Sequence, residues 1–146
     1  MFQLSVLCAQ DIKVTGGFDK SLSKQDLFTM GGNYSNIVTG NNSDVKIKVH
    51  KQNQPKTFGW KVEAYRVDLN WHNDLKVFIR MTSTGNGPGS IYSGFNFTEL
   101  SNFPTEICNG NGQLNNIKFQ FEIRGVSVLI PADTYRTKII YTLVAN

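Results

Sequence analysis

From Ile117 to Arg124 the chain reads Ile-Lys-Phe-Gln-Phe-Glu-Ile-Arg, apolar and polar by turns. A side-chain period of two belongs to a β-strand with one face buried and one face solvated. The extended signal crosses Gly125, runs through Val126-Ser-Val-Leu-Ile130 and turns at Pro131-Ala-Asp133. It resumes in Tyr135-Arg-Thr-Lys-Ile-Ile-Tyr-Thr-Leu-Val144. The last third is therefore expected to be antiparallel β-structure that ends inside a sheet.

The same period recurs upstream. Val45-Lys-Ile-Lys-Val-His50 is amphipathic. Leu75, Val77, Ile79 and Met81 form one face of another strand. Trp60, Val62 and Ala64 form a third face, with Lys61 and Glu63 opposite. After Ala64 the apolar residues become Tyr65 and Val67, a one-residue slip of the kind a β-bulge makes. Turn clusters rich in Gly, Asn and Ser separate these runs, and no helical repeat lies between them. This spacing predicts an all-β fold: an antiparallel β-sandwich, Ig-like or jelly-roll, of about 7–10 strands.

With 146 residues the chain is expected to form one domain with a substantial core. Hydrophobic residues make up 40% and charged residues 18%, a balance of folded rather than disordered chains. The net charge is +4. Most basic residues fall on the polar phase of strands, among them Lys46, Lys48, Lys61, Arg80, Lys118, Arg136 and Lys138. They read as solvated strand faces, and no nucleic-acid partner is expected.

Met1-Phe-Gln-Leu-Ser-Val-Leu-Cys-Ala-Gln10 is apolar and gives way sharply to polar sequence at Asp11. Residues 1–10 read as the end of a secretory signal peptide without its basic start. The alternative is a short first strand from Phe2 to Leu7. The ending Leu7-Cys-Ala-Gln10 resembles the signals of Bacteroidetes-type secreted proteins, which are often cleaved before Gln. The domain proper would then span 11–146, secreted or at a cell surface, with no integral membrane span. Cys8 would leave with the leader and Cys108 would stay unpaired. A retained leader would allow a Cys8–Cys108 bridge.

Chemical groups are sparse. His50 and His72 share no metal-ligand spacing. Asp68 and Asp74 flank the loop that carries His72, where turn capping explains them. Gly85-Asn-Gly-Pro-Gly89 lacks the Lys-Ser/Thr and the helix of a phosphate loop. No catalytic residue, metal site or cofactor is expected, and the chain reads as non-enzymatic. Trp60 shares a phase with Val62 and belongs in the core. Trp71 lies outside any strand and is the aromatic most open to exposure.

The ending Ile130-Pro-Ala-Asp-Thr-Tyr135, followed by Lys138-Ile-Ile-Tyr-Thr-Leu143, resembles the close of bacterial surface and pilus-subunit β-sandwiches. Asp133 stands where those proteins usually carry Gly. The paired disulfide and penultimate Tyr of chaperone–usher pilins are not matched. The resemblance implies a secreted subunit that self-associates or joins other surface proteins. An extended segment, Asp11-Ile12-Lys13-Val14-Thr15, would supply the route by adding itself to a neighbour's sheet edge. The alternative is a carbohydrate-binding module, with a glycan held by Trp71, Tyr65, His72 and Asp74.

Overall fold

The computed structural model describes residues 2–7, 12–21, 36–50 and 58–145. Twelve strands run through them: β1 (Phe2–Leu7), β2 (Ile12–Gly16), β3 (Phe18–Lys20), β4 (Ile37–Thr39), β5 (Val45–Val49) and β6 (Gly59–Asn70). They continue with β7 (Lys76–Ser83), β8 (Ser90–Ser93), β9 (Thr98–Leu100), β10 (Thr105–Asn111), β11 (Leu114–Arg124) and β12 (Tyr135–Ala145). Among the described residues there is no helix, and so none long and apolar enough to cross a membrane.

The first sheet has the order β3-β1-β12-β6-β10-β8 and the second β2-β5-β11-β7-β9, with β4 also paired to β11. All pairings are antiparallel except β1 with β12, which run parallel from Phe2↔Tyr135 to Leu7↔Ile140. The two sheets pack face to face, and the expected β-sandwich is the fold, with twelve strands among the described residues rather than about 7–10. Phe2–Leu7, which has two readings in the sequence, takes the strand conformation, between β3 and β12.

The core follows from the alternation. Val45, Ile47 and Val49 of β5, Trp60, Val62 and Ala64 of β6, and Val77, Ile79 and Met81 of β7 are all buried. They meet Ile117, Phe119, Phe121 and Ile123 of β11 and Ile139 and Tyr141 of β12. The Trp60 indole N–H donates to the Gly112 carbonyl at 2.8 Å, so the largest core side chain leaves no orphaned donor.

Two further sequence expectations are corrected. The phase of β6 does not slip at Tyr65. Tyr65 stays on the outer face with Lys61 and Glu63, and Arg66 continues the inner phase opposite Ile139. The register shifts lie elsewhere: at Leu69 against β12, and at Ile107 of β10 against β6. Arg66 is tolerated inward because it closes the end of the core. Its Nε donates to Leu100 O at 2.8 Å, and its Nη1 to Asp68 Oδ1 at 3.0 Å, an atom that also accepts from the Thr137 hydroxyl.

Val126–Ile130 is not strand but loop. Gly125, at φ +87°, breaks the extended run, and the Ile130 N–H turns back to Ser127 O. Apolar residues continue past the break because they line a cleft rather than a sheet face. β10 lies inside the first sheet, between β6 and β8.

Candidate functional site

One end of the sandwich opens into a cleft of about 270 Å³. The loop between β11 and β12 forms one wall through Val126, Ser127, Ile130 and Asp133. Phe2, Leu75 and Tyr135 form the floor. Gly125 and Val126 both donate to Asn36 O, at 2.9 and 3.2 Å, which anchors the start of the loop. The Tyr135 hydroxyl donates to Pro131 O and holds its far side. Asp133 closes the loop onto β6. Its carboxylate accepts from the Thr134 N–H at 2.7 Å and from the Asn70 amide at 3.3 Å. These bonds favour the ionised form and hold its carboxyl below the ordinary value.

The turn His72–Leu75 supports this end from below. The Leu75 N–H donates to His72 O at 3.0 Å, and the Asp74 N–H to His72 Nδ1 at 3.2 Å. The Trp71 indole N–H donates to Leu75 O at 2.9 Å. Its ring lies 6.1 Å from that of Phe2, with the Arg66 guanidinium 5.7 Å from its centroid. Trp71 is thus half-buried, as its loop position suggests, and engaged on its faces. The stack itself is not revealed by a loop position, which has no strand period to place Phe2 beside it.

Of the four residues read as a glycan site, the structure brings three together and sets Tyr65 apart. Trp71, His72 and Asp74 belong to the turn beneath the cleft. The His72 ring meets Tyr135 edge-on at 6.2 Å. Tyr65 lies on the outer face of the first sheet, opposite Ile140. The cleft residues Ser127, Ile130 and Asp133 carried no site signal in the sequence, where they read as strand and turn.

The N-terminal segment has a place of its own. Ile12–Thr15 lies in β2, paired with β5, and buries Ile12 and Val14 in the chain's own core. Asp11 and Cys8 lie outside the described residues. Cys108 is a free thiol, fully buried. Burial, reinforced by the Glu106 charge, pushes it up to about 12, so it holds no nucleophilic thiolate at neutral pH. His50 Nδ1 is engaged by the Gln113 side-chain amide at 2.6 Å. Among the described residues no three of His, Cys, Asp and Glu gather as a metal site would require.

No protein-family model matches this chain, and no match emerges among curated proteins or solved structures.

Proposed function

We propose that the chain is a non-catalytic structural or adhesive β-sandwich, secreted or displayed at a cell surface, that associates with copies of itself. One observation carries this reading. Tyr92, Phe95 and Phe103 are 66, 53 and 76% exposed on the flank where the chain crosses between the sheets. There β8 ends the first sheet and β9 ends the second. The crossing segment is held by Met81 N–H donating to Gly94 O at 2.7 Å. Exposed aromatic rings mark association surfaces. The edges that end the two sheets among the described residues offer main-chain pairing to an identical edge about a two-fold axis. Because β8 and β9 are only 4 and 3 residues long, the rings rather than the strands supply most of the contact. Donation of Ile12–Thr15 is the weaker route, because its apolar side chains already fill their own core.

Light scattering over a concentration series tests this. Oligomers that grow with concentration are expected, and Tyr92→Ser/Phe95→Ser/Phe103→Ser should weaken them at least about tenfold while remaining folded. A strict monomer at high concentration, or oligomers indifferent to the triple change, would overturn it.

The cleft favours a second reading, a glycan-binding module. Apolar walls with a few polar groups at the rim suit a sugar or similar small ligand. Trp71 touches Phe2 of the floor, so its fluorescence reports on occupancy. A glycan that shifts Trp emission, with the shift lost in Ala132→Phe, is the expected result. A broad glycan screen without response would remove this reading.

A further inference from the structure

Four lysines that are far apart in sequence meet on the outer face of the second sheet. Val14, Ile47 and Phe119 fill the core side of β2, β5 and β11, so the alternate residues Lys13, Lys46, Lys48 and Lys118 face outward. The register sets Lys13 directly opposite Lys48, and Lys46 directly opposite Lys118. Like charges in opposed cross-strand positions destabilise a sheet. Among the described residues no carboxylate pairs with any of the four. The described carboxylates that form ion pairs do so elsewhere, in Lys61–Glu63, Arg66–Asp68, Arg124–Glu122 and, when the imidazole is protonated, His72–Asp74. Asp44, in the turn before β5, is committed to the backbone N–H groups of Asn41 and Phe121, at 3.0 and 3.1 Å.

Edge protection explains only part of this. A lysine on an edge strand discourages sheet-to-sheet aggregation, and that covers Lys13 on β2. It does not cover β5 and β11, which are interior strands. A groove of about 180 Å³ opens at the cluster, among Lys13, Thr15, Lys46, Lys48, Asn115 and Asn116. The register shift in β11 between Leu114 and Ile117 brings the two asparagines beside the lysines and adds neutral donors and acceptors to the charges.

We propose that this face binds an anionic polysaccharide, a sugar chain carrying carboxylate or sulfate groups. The lysine ammoniums answer the charges, while Thr15 and the asparagine amides answer the hydroxyls. Among the described residues no aromatic ring lines the groove to give the stacking platforms on which single-stranded nucleic acid depends. Nor, among them, does a large exposed apolar side chain line it as the wedge by which a protein enters a membrane surface. The site is separate from the end cleft and from the β8/β9 flank, and the proposal does not depend on self-association.

The test measures binding of dextran sulfate and polygalacturonate, with uncharged dextran as control, by the full chain and two charge-matched variants. Lys13→Gln/Lys46→Gln/Lys48→Gln alters the proposed face. Lys61→Gln/Arg136→Gln/Lys138→Gln removes the same charge from the outer face of the other sheet. At least one anionic chain is expected to bind, and raising salt from about 50 to 200 mM should weaken it roughly fifty-fold if four phosphate-like contacts are a guide. The face variant should lose at least about tenfold and the control variant less than about twofold. The two polymers distinguish sulfate from carboxylate recognition. Equal losses in the two variants, or no preference over uncharged dextran, would overturn the site. Tighter binding of a single-stranded oligonucleotide or of anionic phosphatidylserine vesicles than of either polysaccharide would overturn the ligand assignment. The altered lysines are outward-facing and mutually repulsive, so the face variant should fold at least as stably as the parent, and circular dichroism checks this.

Discussion

Trp60→Ala is expected to cost the fold about 4–6 kcal/mol, a large share of the net stability of a domain this size. Truncating a fully buried aromatic ring accounts for about 3–5 kcal/mol, because the surrounding core cannot collapse into the space. The remainder comes from the Gly112 carbonyl, which loses the indole N–H at 2.8 Å. The site is also rigid. Gly110 comes so close that a β-carbon there would lie 3.0 Å from the Trp60 ring and 2.2 Å from Ser90 O. A side chain at this point of β10 is therefore excluded by the β8 backbone, and the indole packs tightly into the space beside it. Urea unfolding followed by far-ultraviolet circular dichroism measures the loss. Trp60→Phe should fall between the parent and the alanine variant, since it keeps most of the ring volume and loses the hydrogen bond. A loss below about 2 kcal/mol for Trp60→Ala would mean that the core does not close around this residue.

Gly125→Ala is expected to cost about 2–4 kcal/mol although it adds a single methyl group. Gly125 has φ +87°, where a side chain is strained. The added carbon would also lie 2.0 Å from the Asp74 carbonyl oxygen, a backbone atom that cannot rotate away. Relief requires the His72–Leu75 turn to separate from the end of β11. Leu75 and Val126, on the two sides of that contact, both line the end cleft. The variant should therefore lose stability and reshape the cleft together. Thermal unfolding reports the first effect, and near-ultraviolet circular dichroism of the Trp71–Phe2 pair reports the second. Parent-like stability would show that the loop can move away from the turn without loss.

The strands were the legible part of the sequence because period-two burial depends on neighbours in the chain. β5, β7 and the first half of β6 are inward and outward as their residues indicate. What failed depends on contacts between distant residues. Arg66 reads as an outward residue until Leu100 O, Asp68 and the Trp71 ring are seen around it. Val126–Ile130 reads as strand because a cleft wall and a sheet core are both apolar. The ring partners of Trp71 are not legible because a loop carries no phase of the kind that placed Trp60. The basic residues read as evenly spread because Lys13 and Lys118 become neighbours only through β5. Gln120 and Glu122 are buried on the polar phase of β11 for the same reason. Arg80 donates to Gln120, and Thr39 and Arg124 donate to Glu122, each from another strand or two residues on.

The parallel pairing of β1 with β12 has a consequence for biogenesis. The strand that holds Phe2 in place, Tyr135–Ile140, is made more than 130 residues after it. Until it is made, β1 has only the three residues of β3 beside it, and β6 has no partner on that side. The first sheet cannot close on a partial chain, and such long-range closure is intrinsically slow. Folding of this sheet therefore waits on the synthesis of β12, whereas the second sheet has all its strands before it.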